Sequence, residues 1–340
     1  MNKKLVALAV SAIAAGGAVA QTANVTLYGI VDTYVASHRA NGVSSTNLNG
    51  GGISGSRWGL RGTESLGGGM NAVFVLEGGI ASDTGGLGQG GLLFGRQAYV
   101  GLNGGFGSLT LGRQYAPAFY VQCNADDSFG GCLTAWSAVA NMNGFFANTL
   151  RPNNAIIYAT PNMGGLTGAL MWSLGESTAG TSASRTLGAN IQYKNGPIYA
   201  GIGYSDQKGD QLTAATRGSN KHVSFGATYN FGVAYAGVFY AENKTIAGVK
   251  SKPLVVSVTV PFGAARAGLQ VAQVKSGSAK ANSFGLLGEY DLSKRTNVYG
   301  IYSNCKNKGI ACTSDGNVGV ATAALNKSSS TFGLGIKHRF

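Results

Sequence analysis

The chain has 340 residues and a formal net charge of +13, yet only 11% of its residues are charged. Soluble domains have roughly 25% charged residues, so this composition favours a surface that faces an apolar medium. Glycine contributes 55 residues without a three-residue period, which excludes collagen, and 15 Tyr with 14 Phe argue against a disordered chain. Because there are only 6 prolines and no linker-like run, we expect one domain.

The first twenty residues have the pattern of a secretory signal peptide. Lys3 and Lys4 form a basic start, an apolar stretch follows from Leu5 to Ala15, and Ala18-Val19-Ala20 fits a cleavage site before Gln21. A membrane anchor is the alternative, but the apolar stretch is about half of the ~20 residues that a spanning helix needs. We therefore predict a signal peptide over residues 1–20, export, and a mature domain over residues 21–340.

Apolar and polar residues alternate along many segments of the mature chain. From Lys221 onward, Val223, Phe225 and Tyr229 share one face, while His222 and Ser224 lie on the other. A period of two predicts a β-strand with one apolar face. The same pattern recurs over residues 166–174, 187–194, 198–204, 254–260 and 283–292. The alternating pattern also covers residues 331–340 and ends at Phe340.

The connections between these segments are alternately short and long. Seven tight turns contain the Gly, Asn and Pro that turns require, and eight longer stretches separate them, of which Ala116–Arg151 is the longest. The longer stretches include Ala40–Gly55 and Ser276–Lys280. This layout predicts an all-β fold, a sixteen-stranded antiparallel transmembrane β-barrel with short turns at one end and long loops at the other. A barrel of that size encloses an aqueous channel.

Three strands do not follow the alternation. Arg96 shares its parity with Val100, Arg113 shares its parity with Leu111, and the segment from Val25 to Asp32 is mixed on both faces. Such strands suit a wall that packs against a neighbouring subunit or an inward-folded loop. The other reading is that the predicted register is wrong at these places.

The chain resembles the trimeric general porins of β-proteobacterial, Gram-negative outer membranes. Six segments from one end of the mature chain to the other carry the resemblance: residues 25–29 (VTLYG), 56–69 (SRWGLRGTESLGGG), 96–102 (RQAYVGL), 111–114 (LGRQ), 292–296 (LSKRT) and 335–340 (GIKHRF). The resemblance implies a homotrimer whose third loop folds into the lumen. It also implies that Phe340 is the signal read by the barrel-assembly machinery.

The resemblance further implies a constriction lined by arginines. Arg57, Arg96 and Arg151 match such positions, and Arg113 is a neighbour. Guanidinium stays charged at any relevant pH, and fixed positive charge in a narrow pore attracts anions. The alternative is that each arginine is a solvated residue of the barrel wall or a salt-bridge partner without a role in selectivity. Acidic residues of the third loop, Asp126 and Asp127, would oppose strong selectivity, and Glu64 and Glu77 could neutralise some arginines.

The four cysteines fall in two local pairs. Cys123 and Cys132 lie in the third loop, and Cys305 and Cys312 lie near the last loop. Export favours oxidation, so we predict two disulfides. A metal site is the rival, but neither spacing is C-x-x-C and no histidine is close in sequence. We expect no cofactor and no metal.

These patterns predict an outer-membrane porin for passive diffusion of small hydrophilic solutes, with a preference for anions. A substrate-specific channel and a barrel that acts mainly in adhesion are the alternatives. No nucleophile motif or phosphate-binding loop supports an enzyme, and the basic residues are too dispersed in an exported protein to indicate nucleic acid. We expect the partners to be two further copies of the chain, outer-membrane lipid and lipopolysaccharide, the assembly machinery, and small anions.

Overall fold

The computed structural model describes residues 24–125 and 150–340, except residues 179, 182, 214, 311, 313 and 315–322. One antiparallel sheet dominates this part of the chain, and its last strand pairs with its first, from Ile30 opposite Arg339 to Ala40 opposite Ser329. The sheet therefore closes into a barrel without a free edge. Within the described ranges, no helix is long and apolar enough to cross a membrane. The predicted signal peptide lies outside the described residues.

The described residues contain seventeen strand segments and one helix. The strands are β1 (Asn24–Ala40), β2 (Val43–Gly50), β3 (Arg57–Gly67), β4 (Met70–Gly79), β5 (Gln97–Gly104), β6 (Gly107–Arg113), β7 (Ala155–Ala159), β8 (Leu166–Ser173), β9 (Thr186–Asn195), β10 (Ile198–Lys208), β11 (Ser219–Asn230), β12 (Tyr235–Lys244), β13 (Lys250–Phe262), β14 (Ala265–Ser276), β15 (Ala279–Asp291), β16 (Thr296–Lys308) and β17 (Ser328–Arg339). The helix is α1 (Pro117–Ala125), at the start of the third loop.

Sixteen positions around the barrel accommodate these seventeen segments. β2 pairs with the second half of β1, β3 pairs with its first half, and residues 51–56 interrupt the strand between them. β2 and β3 are thus one interrupted strand, and the predicted sixteen-stranded antiparallel barrel is confirmed.

Two of the predicted long loops are wrong in extent. Residues 43–50 of the first loop are strand β2, joined to β1 by a two-residue turn in which Asn41 and Gly42 both have positive φ, 57° and 81°. An Asn-Gly pair in this conformation favours a tight hairpin because its twist matches that of the flanking strands. The loop predicted over 276–280 is likewise shorter, since Ser276 pairs with Ala279.

The barrel is polar inside and apolar outside. On β11, the apolar Val223 and Phe225 are 50% and 43% exposed, whereas the polar His222 and Ser224 are 1% and 2% exposed. A soluble barrel would show the reverse, because it hides its apolar face from water. The exposed apolar rows continue around the wall, as the inside-out pattern of a transmembrane barrel requires.

The described start of the third loop lies inside the barrel. Helix α1 packs on strands β9, β10 and β11, and Phe119 and Val121 of this helix are buried. The side-chain amide of Asn190 on β9 donates to the carbonyl of Pro117 at 2.7 Å and so fixes the start of the helix. The prediction of an inward third loop is confirmed for this segment.

A second inward segment runs over residues 51–56, named here the inner segment. Asp32 on β1 anchors it, because the N–H groups of Ile53 and Ser54 donate to Asp32 Oδ2 at 2.9 and 2.7 Å. Tyr299 donates to the other carboxylate oxygen of this fully buried aspartate. The mixed faces of the segment from Val25 to Asp32 thus reflect an inward-folded chain packed on β1.

Cys305 and Cys312 form a disulfide at the loop end of β16, as predicted. Cys123 is buried in α1, but its predicted partner Cys132 lies outside the described residues. That second disulfide stays a prediction.

Candidate pore constriction

Tyr115 lies at the centre of the predicted arginine group, on the lumen side of the wall. Its hydroxyl oxygen accepts hydrogen bonds from Arg96 Nη2 at 2.6 Å and from Arg151 Nη2 at 2.7 Å. The guanidinium carbon of Arg151 also lies 4.4 Å from the centre of the Tyr115 ring, a cation–π geometry. The ring of Phe119 on α1 also stacks on the Tyr115 ring, with 4.4 Å between the ring centres, so the third loop helps to position both arginines.

Arg96 has an acidic partner on the neighbouring strand. Its Nε donates to Glu77 Oε1 at 2.7 Å, and both side chains are less than a tenth exposed. Tyr28 donates to the other oxygen of Glu77 at 3.0 Å. The prediction that Glu77 could neutralise an arginine is therefore correct for Arg96. Glu64 lies on the opposite face of β3 from Arg57, since the two positions have opposite parity.

Arg57 begins β3 at the end of the inner segment. Its Nε donates to the carbonyl oxygen of Gly55 at 2.8 Å. A Cβ atom at Gly55 would lie 3.4 Å from an Arg96 nitrogen and 3.9 Å from an Arg57 nitrogen. The inner segment thus brings its backbone against both guanidinium groups, and the Asp32 anchor places it there.

Arg113 joins the group from the end of β6. Its Nη1 donates to the carbonyl of Arg151 at 2.8 Å and to Asn153 Oδ1 at 2.6 Å, while its Nε donates to the carbonyl of Gly95. Together with Arg151 it lines a polar cavity of about 440 Å³. The irregular parity of Arg96 and Arg113 has a simple reason: both lie where a strand begins or ends, so their side chains need not follow the alternation.

The structure therefore brings all four predicted arginines into one group, the arginine cluster (Arg57, Arg96, Arg113 and Arg151). Among the described residues that contact it, Glu77 is the acidic side chain, so three positive charges remain uncompensated there. Burial lowers the pKa of the Arg151 guanidinium, because the charged form loses hydration. A guanidinium nevertheless stays charged at neutral pH. The predicted Asp126 and Asp127 lie outside the described residues.

Sequence reasoning missed two contributors to this site. Tyr115 holds two of the arginines, and its only sequence signal is its position two residues after the end of β6 and directly before the third loop. Asp32 holds the inner segment by accepting from the N–H groups of Ile53 and Ser54, and it also accepts from Tyr299, 267 residues away. No local pattern could indicate a partner at that separation.

The last residue closes the barrel. The backbone of Phe340 exchanges two hydrogen bonds with Gly29, at 3.1 and 3.2 Å. The Phe340 ring lies over Gly29 so closely that a Cβ atom at this position would overlap it. A glycine is thus required on β1 where the terminal aromatic ring crosses it.

A closed sixteen-stranded barrel with an apolar outer face, a polar lumen and a charged group beside an inward loop defines an outer-membrane diffusion channel. The family model for Gram-negative porins matches residues 7–310. The chain belongs to this family and is an outer-membrane channel protein, not an enzyme.

Individual relatives agree with this assignment. Outer membrane porin protein 32 of Delftia acidovorans is 37% identical, and an outer-membrane porin of Bordetella pertussis is 30% identical, each matched over the full length of both chains. Among solved structures, an anion-selective porin from Comamonas acidovorans is 32% identical, with a TM-score of 0.81, over 94% of this chain and 100% of that one.

Proposed function

We propose that the protein is a general diffusion porin that prefers anions, and that the arginine cluster sets this preference. The proposal rests on one observation: Arg96 and Arg151 both donate to the hydroxyl oxygen of Tyr115. Arg57 and Arg113 are adjacent to this pair. Glu77 is the acidic partner of Arg96. Fixed guanidinium charge in a confined pore raises the local concentration of anions and lowers that of cations. The related porin from Comamonas acidovorans is described as anion-selective, which agrees with this proposal.

The size of the effect follows from Coulomb's law. A unit charge ~6 Å from a passing ion contributes about 0.7 kcal/mol in water, which changes the local ion concentration about threefold. Removal of one guanidinium lowers the anion concentration and raises the cation concentration by that factor. The ratio of anion to cation permeability should therefore fall roughly tenfold for each arginine removed.

The test is the reversal potential of single channels in planar bilayers under a salt gradient. Arg151→Ser and Arg57→Ser should each shift the potential towards neutrality. Arg39→Ser is the matched control, because Arg39 is an exposed arginine near the loop end of β1. A wild-type channel that prefers cations, or equal shifts in the control, would refute the assignment of the arginine cluster.

We propose that Asp126 and Asp127 of the third loop moderate this selectivity by opposing the arginine cluster. Acidic residues opposite a basic wall produce a transverse field that weakens the preference for anions. Asp126→Asn with Asp127→Asn should then increase the anion preference. An unchanged reversal potential would mean that neither carboxylate faces the conduction path.

We propose that the functional form is a homotrimer. The outward faces of β4, β5, β7 and β8 expose apolar residues such as Val100, Leu102, Leu170 and Trp172 without an interspersed charge, which suits contact with another copy. Light scattering in detergent should give three times the protomer mass. Val100→Arg with Leu102→Arg should reduce it to the mass of one protomer if this face is the interface.

We propose that residues 1–20 are removed after export and that Phe340 directs assembly. The exported protein should then begin at Gln21 by N-terminal sequencing. Phe340→Ala should slow insertion by the assembly machinery, because the terminal strand loses its aromatic end. Spontaneous refolding of the same variant into detergent should be affected less, which separates recognition from barrel closure.

A further inference from the structure

Lys337 on the terminal strand β17 faces the inside of the barrel and is only 1% exposed. Its ammonium group donates to Glu289 Oε1 on β15 at 3.2 Å. A lysine on a polar lumen wall can extend its ammonium group into water. Withdrawal of that group from water is unfavourable unless carboxylates compensate for its charge. The complete burial of Lys337 therefore indicates that its charge serves the groups around it.

The Glu289 carboxylate, 3% exposed, fixes the position of the Lys337 ammonium group. Asn297 on β16 donates its side-chain amide to the same oxygen at 2.7 Å. Arg266 on β14 donates to the other oxygen. Three neighbouring strands thus hold one carboxylate, and its position on the inner wall is set by the register of the sheet.

Lys337 stands directly opposite Asp32 in the pairing of β17 with β1, and both side chains are buried on the inner face. Opposite residues on one face have Cβ atoms about 5 Å apart, and the charge of Lys337 acts on the Asp32 carboxylate. Arg266, Glu289, Lys337 and Asp32 therefore form a chain of alternating charge along the wall. Two of these groups are positive and two are negative, so the chain adds no net charge to the lumen.

The inner segment lies at the end of this chain and has two attachments to the wall. The N–H groups of Ile53 and Ser54 donate to Asp32, and the Ile53 side chain packs in a buried cluster with Tyr34 and Ile301. Hydrogen bonds to an ionised acceptor are stronger than those to a neutral one. The first attachment therefore depends on the charge and the position of the Asp32 carboxylate, and the second does not.

We propose that Lys337 is a positioning residue for the pore: it holds the Asp32 carboxylate against the inner segment, and Glu289 holds Lys337. Because Lys337 lies on the last strand and Asp32 on the first, the two meet only where β17 pairs with β1. Closure of the barrel therefore also seats the inner segment. The inference rests on the proposed diffusion pore, in which the inner segment borders the conduction path.

The test measures how fast an uncharged maleimide modifies a thiol introduced by Ser54→Cys, in the folded protein in detergent. Ser54 is half-buried, and its backbone N–H can still donate to Asp32 after the substitution. The protein without this substitution gives the background rate. Lys337→Met should raise the rate roughly tenfold, because loss of a charge-assisted contact shifts an opening equilibrium by about that factor. An unchanged rate would overturn the proposal.

A second background shows whether Lys337 acts through Asp32. In a protein that already carries Asp32→Asn, Lys337→Met should change the labelling rate by less than about twofold, because residues that act through one contact are not additive. A lysine that only stabilised the barrel would loosen the inner segment equally in both backgrounds. A full tenfold rise in the Asp32→Asn background would therefore contradict a positioning role.

Arg339→Met is the matched control. It removes a cation two residues further along the same face of β17, but Arg339 is exposed and lies opposite Ile30. The labelling rate should stay at the wild-type value, and a rise equal to that of Lys337→Met would show that any cation of this strand has the effect.

Lys337→Met with Glu289→Gln is the second variant, because it removes the buried lysine together with its carboxylate and leaves neither charge of this pair uncompensated. Its labelling rate should match that of Lys337→Met alone. A wild-type rate in this folded variant would mean that the inner segment does not need Lys337.

Single-channel conductance provides the functional measurement. Lys337→Met should raise the conductance by the same proportion as Asp32→Asn, and the two changes together should raise it no further. Wild-type conductance in Lys337→Met would refute the positioning role. The labelling reagent is uncharged, so a channel that prefers cations would refute the assignment of the arginine cluster without altering the labelling result.

Discussion

The two halves of the barrel use positive charge in opposite ways. Between residues 5 and 193 every cation is an arginine, and every lysine after Lys4 lies at position 194 or later. In the first half, four arginines meet beside the lumen, where side-chain hydrogen bonds hold them in place. In the second half, six exposed lysines lie on the outer wall at the long-loop end of β11 to β15: Lys221, Lys244, Lys250, Lys252, Lys275 and Lys280. Planar, multidentate arginines are therefore held in fixed geometry beside the lumen, and flexible lysine side chains lie on the outer wall.

The largest expected difference between the halves is in the cost of breaking an ion pair. Arg96→Met leaves Glu77 as a buried carboxylate without its charged partner and should lower the free energy of unfolding by about 3–5 kcal/mol. Lys252→Met breaks the exposed pair with Glu242 and should have no measurable effect. Denaturant unfolding in detergent measures both. Equal losses would mean that burial does not distinguish the two pairs.

The disulfide of the second half should stabilise the barrel without affecting the pore. Replacement of both Cys305 and Cys312 by Ala should lower the free energy of unfolding by about 2–3 kcal/mol, from the entropy of closing a short loop. The reversal potential should remain that of the wild type. A changed potential would show that the disulfide also shapes the conduction path.

The anchor of the inner segment should link stability to conductance. Asp32→Asn weakens charge-assisted hydrogen bonds from Ile53, Ser54 and Tyr299, and roughly 2 kcal/mol should be lost. The anchored inner segment holds Gly55 against the arginine cluster beside the lumen. Because a weakened anchor lets this segment move away from the lumen, the single-channel conductance should also rise. Asp291→Asn is the control, because Asp291 is an exposed carboxylate at the turn end of β15. A stable variant with normal conductance would show that packing alone holds the inner segment.

The smallest effect concerns one like-charge pair of these lysines, Lys275 and Lys280, which lie opposite each other on β14 and β15. Lys280→Glu places an opposite charge across from Lys275 and should raise the stability in uncharged detergent by a few tenths of a kcal/mol. The gain should disappear in 1 M salt, where the screening length is ~3 Å. Lys294→Glu, in a turn, should give no such gain. A gain that persists in high salt would have a cause other than charge pairing.

Much of the barrel could be predicted from the sequence because its signals are local. Alternation within each strand indicates two faces of opposite polarity, and glycine-rich turns indicate where the chain reverses. The first loop was predicted wrongly because β2 is rich in Ser and Asn, which occur in loops, yet it pairs with β1 over eight residues. The strand pairing of β2 with β1 therefore prevailed over its local composition.

The functional residues likewise fall into two groups, those that local sequence patterns indicate and those that only contacts between distant segments bring together. The sequence determined the inside-out barrel, the family and the four arginines, since each depends on a short motif or on a period of two. The tertiary structure decided that Tyr115 joins two arginines, that Asp32 anchors the inner segment, and that six lysines face one another across five strands. Those arrangements depend on register and on closure between distant segments, such as Asp32 and Tyr299. Hydrogen-bond register is a property of the closed sheet, so no single segment contains it.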